Sequence, residues 1–94
     1  MKMEQFASVW DAISPTPAEA EAMKARSALM MALQETVRKW NVSQAQAAKK
    51  LKITQPRLND LLRGKINKFS IDALVELAWH AGLSVRFKIT RQAA

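Results

Sequence analysis

The sequence contains no cysteine, a single histidine and no long apolar run. Without cysteine the chain forms neither a disulfide framework nor a thiolate metal site, and one histidine cannot make a histidine cluster. No apolar run approaches the roughly 18 residues that span a bilayer. No nucleophile, base and orienting partner occur at a readable spacing. We therefore predict no metal site, no cofactor, no membrane span and no enzyme activity, and we expect a reducing, cytoplasmic setting.

The chain is long enough for one domain only. A chain of 94 residues can bury about 60 to 65% of its unfolded surface without disulfides. We predict a single domain over residues 1–94, and the patterns described below divide it into three parts. These parts are an N-terminal amphipathic segment at 1–15, a helical core at 16–82 and a terminal strand at 83–90.

Positive charge is concentrated in the later part of the chain. The formal net charge is +7, yet residues 1–36 carry three basic and five acidic side chains, whereas residues 37–94 carry twelve basic and three acidic ones. Residues 38–68 contain nine of these basic side chains and a single acidic one, Asp60. Such a density favours a polyanion as partner. A solvated basic face gives the same pattern, so charge alone leaves both interpretations open.

Helical spacing and capping residues predict five helices. The first is amphipathic, with an apolar stripe formed by Phe6, Val9, Trp10 and Ile13. A long helix follows from a capping box of Thr16 and Glu19 to about Trp40. Its inward stripe comprises Met23, Met30, Leu33, Val37 and Trp40. The three shorter helices have as their N-terminal caps Ser43, Thr54 and Ser70. Left-handed helix ends are expected at Asn41, Gly64 and Gly82.

After Gly82 the apolar spacing changes to alternation. The apolar members of this segment are Leu83, Val85, Phe87 and Ile89, and they alternate with polar residues as in a half-buried strand. Nothing else in the chain resembles a partner strand, and a lone strand cannot satisfy its own backbone. We therefore predict that the strand pairs between two copies of the chain. The predicted fold class is all-α, with five helices and this one C-terminal strand.

Two of the short helices are separated by a three-residue turn, which is the helix-turn-helix arrangement. Residues 42–65 have small residues, caps, a turn and core leucines at the spacing that is typical of this arrangement. Their sequence is VSQAQAAKKLKITQPRLNDLLRGK. In these residues, and again over residues 69–78, the sequence resembles the lambda-repressor/Cro-like, or XRE, DNA-binding family. The resemblance implies a compact lambda-repressor-like domain with its helix-turn-helix at residues 43–63.

The resemblance also implies which residues contact DNA. Base contacts are expected from the exposed face of the second motif helix, at Gln55, Arg57, Asn59 and Asp60. Glutamine can pair with adenine, and arginine with guanine, in the major groove. Phosphate contacts are expected from Gln44, Thr54, Arg63, Lys65, Asn67 and Lys68. For Asp60 a second role stays open and is the preferred one, a charge pair with Arg57 or Arg63.

Two residues depart from the pattern of the family. Lys52 occupies a turn position where the family usually has glycine, and a left-handed backbone would cost a lysine on the order of 1 kcal/mol. An adjusted turn, with an altered angle between the two helices, is therefore one expectation. Pro56 replaces a glutamine or arginine, so it can offer only apolar contact to a thymine methyl group.

The flanking segments are similar to those of HigA-type antitoxins. These segments are residues 6–13, the long helix, residues 55–69 and the terminal strand. In that family a compact XRE protein dimerises, represses its own operon and neutralises a RelE/HigB-like ribonuclease toxin. The resemblance implies a homodimer on a pseudo-palindromic operator in double-stranded DNA. Toxin contacts are then expected from the N-terminal stripe of Phe6, Val9, Trp10 and Ile13, with the terminal strand as the other candidate. A stripe that only covers the domain's own core is the alternative interpretation of these four residues.

Two further interpretations fit the same residues. One is a stand-alone phage-type or housekeeping XRE regulator that has no toxin partner. The other, from a different functional class, is a helical module whose basic face binds RNA or an acidic protein. A salt-dependent titration against promoter DNA and shuffled DNA distinguishes the regulator from the interaction module.

Overall fold

The computed structural model describes residues 16–92 of the chain. Within this range four α-helices and one 3-10 helix follow one another: α1 (Pro17–Trp40), α2 (Gln44–Leu51), α3 (Gln55–Leu62), the 3-10 helix (Ile66–Lys68) and α4 (Ile71–His80). None of these helices is long and apolar enough to cross a membrane. The predicted N-terminal helix, with Phe6 and Trp10, lies outside the described residues. Of the five predicted helices, the four that lie within the described residues are confirmed.

The helices begin at the side chains that the sequence predicts as caps. The Thr16 hydroxyl accepts a hydrogen bond from the Glu19 backbone at 3.1 Å, and the Glu19 carboxylate accepts one from the Thr16 backbone at 2.8 Å. This second hydrogen bond is the main reason why the pKa of Glu19 is lowered. Ser43 and Gln46 repeat the reciprocal arrangement at the start of α2. The single caps that open α3 and α4 are Thr54 and Ser70.

Lys52 takes up the left-handed conformation that glycine usually supplies at this position. Its backbone angles are φ 62° and ψ 41°. Its N–H donates to the Lys49 carbonyl at 3.1 Å, and the next N–H, from Ile53, donates to the Ala48 carbonyl at 3.0 Å. These bonds satisfy carbonyls at the end of α2 that lack intrahelical partners. The turn is therefore not adjusted to avoid the left-handed strain. The left-handed ends predicted at Asn41, Gly64 and Gly82 are confirmed.

The core forms where α1 packs against the later helices. The buried hydrophobic residues are Met30, Leu33, Val37, Ala47, Ala48, Leu51, Leu58, Leu61, Phe69, Leu74, Leu77 and Ala78. Two of them, Ala47 and Ala48, are small enough to let α2 and α3 approach closely. Trp40, which the sequence predicts as inward, is only partly buried at the edge of this core.

A side-chain hydrogen bond joins α1 to the end of α3. The Gln34 amide donates to the Leu61 carbonyl at 2.9 Å. That carbonyl lies in the last turn of α3, where a helix cannot supply its own donors, and it also accepts from the Gly64 N–H at 3.1 Å. The end of α3 is thereby fixed relative to the long helix.

Residues 83–92 form neither helix nor strand in the structure. Leu83 and Val85 pack against the core, whereas Phe87 and Ile89 are 64% and 93% exposed. The predicted terminal strand is therefore not formed within the single chain. The physical reason is that a strand needs a second strand for its backbone hydrogen bonds, and the described residues offer none.

Replacement of Lys52 with glycine should stabilise the domain. Glycine adopts positive φ without a steric penalty, and part of the gain is offset because glycine is freer in the unfolded chain, so we expect Lys52→Gly to raise the unfolding free energy by about 0.5 kcal/mol. Urea unfolding followed by circular dichroism measures the change. The matched control Lys49→Gly, within α2, should lower stability by about 1 kcal/mol. A less stable Lys52→Gly variant would contradict the role of strain at this turn.

Candidate nucleic-acid interface

Helix α3 presents one apolar side to the core and one polar side to solvent. Leu58 and Leu61 are fully buried, which fixes the rotation of the helix about its axis. Four side chains then lie on the opposite side: Gln55, Pro56, Asn59 and Arg63. The first two are exposed at the beginning of the helix, and Arg63 directly follows its last residue. We call these four residues the reading face. Asn59 is half-buried and lies one turn after Gln55, so two side-chain amides follow one another along this face.

The side chain of Arg57, a predicted base contact, packs against an aromatic ring of the domain. Its guanidinium lies 4.3 Å from the ring centre of Phe69, and its Nη1 donates to the Lys68 carbonyl at 3.2 Å. Position 57 borders the buried side of α3, which brings the guanidinium next to the ring of a core residue. The structure therefore does not place Arg57 with the reading face. Arg57 instead connects α3 to the 3-10 helix that follows it, through the hydrogen bond to the Lys68 carbonyl.

Asp60 forms a charge pair, but with partners other than those predicted. One carboxylate oxygen lies 3.6 Å from Lys65 Nζ, and the other lies 3.6 Å from Lys68 Nζ. The expected pairs with Arg57 or Arg63 are wrong. The reason is that the chain reverses after Gly64, so that the 3-10 segment returns alongside the last turns of α3 and brings both lysines to the carboxylate.

The residues predicted to contact phosphate lie in three places around α3. Gln44 is exposed in the first turn of α2, where free backbone N–H groups and the helix dipole favour an anion. Thr54 is exposed at the start of α3, and its hydroxyl accepts from the Arg57 backbone at 3.3 Å. The exposed residues at and after the end of α3 are Arg63, Lys65, Asn67 and Lys68. Donors therefore flank the reading face at both ends.

A family model described as a helix-turn-helix domain matches residues 14–90. A solved structure described as an XRE-family transcriptional regulator matches with a TM-score of 0.72 and 30% sequence identity, over 79% of this chain and 83% of that one. The chain belongs to the XRE helix-turn-helix family. No curated protein matches the sequence significantly.

The XRE assignment agrees with the order of the elements and with the position of the motif. In this XRE domain α2 and α3 are the two motif helices, and Lys52, Ile53 and Thr54 form the turn between them. Ile53 is partly buried against the core, so it fills the angle between the helices. The arrangement offers polar side chains to a groove and cationic side chains to the flanking backbone, as a duplex requires.

Two contacts of the XRE domain escape prediction from the sequence. They are the stacking of Arg57 on Phe69 and the position of Lys50, whose Nζ lies 4.3 Å from the ring centre of Trp40. In both cases a cation meets an aromatic ring that is 10 or more positions away in the chain, beyond the reach of helical spacing. The only signals in the sequence are an aromatic residue at the end of one predicted helix, Trp40, and another just before the last one, Phe69.

Proposed function

We propose that this XRE-family DNA-binding regulator is a homodimeric repressor that reads a pseudo-palindromic operator with α3. The observation that carries the proposal is the reading face. The core fixes α3 by its apolar side, and the opposite side carries the exposed amide of Gln55, the half-buried amide of Asn59 and, directly after the helix, the exposed cation of Arg63. A helix held in this way can enter the major groove of double-stranded DNA.

Base contacts are assigned to Gln55 and Asn59, because an amide can pair with adenine through two hydrogen bonds. Arg57 and Asp60, which the sequence also places among the base contacts, make contacts within the domain, Arg57 with Phe69 and Asp60 with two lysines, so this proposal assigns them no base contact. Phosphate contacts remain assigned to Arg63, at the end of the reading face, and to the residues that flank this face: Gln44, Thr54, Lys65, Asn67 and Lys68. These contacts supply affinity that is independent of sequence and sensitive to salt.

Substitution of Gln55 should change the base preference of the protein. Loss of a two-bond contact costs about 1 to 3 kcal/mol of discrimination, so Gln55→Ala should relax the preference at one position in each half-site. Selection from a randomised duplex pool, followed by sequencing, measures that preference for both the parent and the variant.

Arg57→Lys provides the matched comparison on the same helix. Lysine keeps the charge but loses the planar stacking on Phe69 and the geometry of the guanidinium fork. This variant should weaken binding to all sequences alike and leave the base preference intact. A base preference that shifts in Arg57→Lys and not in Gln55→Ala would reverse the assignment.

The C-terminal segment supports the homodimer. Among the described residues no backbone hydrogen bond involves residues 84–92, and Phe87 and Ile89 are exposed apolar side chains. An extended segment with free backbone groups can pair with the same segment of a second copy, which would bury these side chains. Twofold symmetry then sets two reading helices about 34 Å apart, on successive major grooves.

Removal of residues 86–94 should produce a monomer. This truncation keeps Leu83 and Val85, which pack on the core, so the fold itself is preserved. Analytical ultracentrifugation should show one mass for the parent and half that mass for the variant. DNA binding should become weaker and lose its cooperativity.

Removal of residues 91–94 alone serves as the control and should leave the dimer intact. A variant lacking residues 86–94 that still sediments as a dimer would place the interface on the helices.

The finer role that we propose is that of the antitoxin in a type II toxin-antitoxin pair, repressing its own operon and neutralising a RelE/HigB-like toxin. The resemblance of the flanking sequences to HigA-type antitoxins supports it. Residues 1–36 have two more acidic than basic side chains, which complements a toxin that binds RNA. The candidate contacts are Phe6, Val9, Trp10 and Ile13, which lie outside the described residues.

Co-expression with the product of the adjacent reading frame should yield a stable complex. Phe6→Ala/Trp10→Ala should weaken its capture and leave DNA binding unchanged, because the changed residues lie outside the helix-turn-helix. Isothermal titration calorimetry measures the affinity, and Met31→Ala, at an exposed apolar residue of α1, is the control. If the double variant captures the partner at full strength, the terminal segment becomes the site. If the adjacent product does not bind the parent, the protein is a stand-alone regulator.

A further inference from the structure

A single carboxylate holds both of the lysines that follow the reading helix. Asp60 Oδ1 lies 3.6 Å from Lys65 Nζ, and Asp60 Oδ2 lies 3.6 Å from Lys68 Nζ. Each oxygen of the carboxylate therefore faces a different cation. Both lysines belong to the group that is assigned to DNA phosphates.

This cluster differs from the ordinary surface ion pairs of the domain. The Asp60 side chain is only 20% exposed, and those of Lys65 and Lys68 are 41% and 57% exposed. In the Glu21 and Lys24 pair on α1, by contrast, both side chains are largely exposed. Partial burial of the carboxylate reduces screening by water and salt, so we expect the Asp60 cluster to be stronger than an exposed pair.

The backbone around the cluster is fixed by two further hydrogen bonds. The Lys65 N–H donates to the carbonyl of Asp60 itself at 3.0 Å. The Lys68 carbonyl accepts from Arg57 Nη1 at 3.2 Å. The backbone that carries the two lysines is therefore held in a defined turn beside the carboxylate.

We propose that Asp60 is an internal competitor of DNA phosphate, which lowers the affinity of the domain for all DNA sequences alike. The inference rests on the proposed DNA-reading function. A carboxylate and a phosphodiester present the same kind of anionic oxygen to an ammonium group, so Lys65 and Lys68 must exchange one for the other on binding. Because this exchange is the same on every duplex, it reduces the sequence-independent part of the affinity. The preference between DNA sequences then depends on the base contacts.

The experiment is a double-mutant cycle between Asp60→Asn and the pair Lys65→Met/Lys68→Met. Binding is measured by fluorescence anisotropy at several salt concentrations, with a duplex from the upstream region of its own gene and a shuffled duplex. Asparagine keeps the size of the side chain and removes its charge. Since an ion pair of this kind contributes a few tenths to 1 kcal/mol, Asp60→Asn should tighten binding to both duplexes by about twofold to fivefold. In the background without the two lysines, most of that gain should disappear.

Two controls accompany the cycle. Glu21→Gln removes the same charge from a carboxylate that is paired with a lysine near the start of α1, and it should leave both affinities unchanged. Circular dichroism and the melting temperature show whether Asp60→Asn retains the fold. If that variant unfolds, Asp60→Ser provides a second neutral side chain with the same expected gain.

Two outcomes would overturn the inference and leave the proposed function standing. An equal gain in the background lacking the lysines would mean that Asp60 simply repels DNA. A lost preference at one base pair, with no gain on shuffled DNA, would make Asp60 a base contact. If the parent protein binds neither duplex even at low salt, the proposed function itself fails, and the inference fails with it.

Discussion

The ring of Phe69 connects the core of the domain to the surface assigned to DNA. The ring is buried among the helices, and the Arg57 guanidinium lies against it. Arg57 in turn holds the Lys68 carbonyl, and the Lys68 side chain reaches Asp60. A smaller side chain at position 69 would leave a cavity in the core and also release the segment that carries the lysines. Stability and the placement of the phosphate-binding residues thus depend on the same packing contact.

Those parts of the fold that depend on near neighbours in the chain could be predicted from the sequence. Each helix cap forms a hydrogen bond with a residue three positions ahead, and each left-handed residue lies at the end of a single helix. Both features therefore depend only on a few neighbouring residues. The apolar stripe of α3 is equally local, and from it the outward direction of Gln55 follows. The bounds of the motif and its assignment to the XRE family were accessible for that reason.

The parts that could not be predicted depend on contacts between distant positions. The partners of Asp60 are set by the path of the chain after Gly64, and the partner of Arg57 by where Phe69 enters the core. The spacing of residues along a helix predicts neither of these two contacts. The terminal segment shows another limit, because its alternating pattern signals a capacity for pairing, whereas a paired strand requires a second backbone that a single chain does not contain.

The left-handed lysine of the helix-turn-helix has an electrostatic consequence. Lys52 follows directly on the C-terminus of α2, where the helix dipole creates a partial negative charge. A lysine there adds a favourable charge interaction that glycine cannot provide, and this interaction offsets part of the steric strain. Salt screens the interaction, whereas the strain is insensitive to salt. High ionic strength, which weakens phosphate contacts in general, is therefore also expected to lower the stability of this turn.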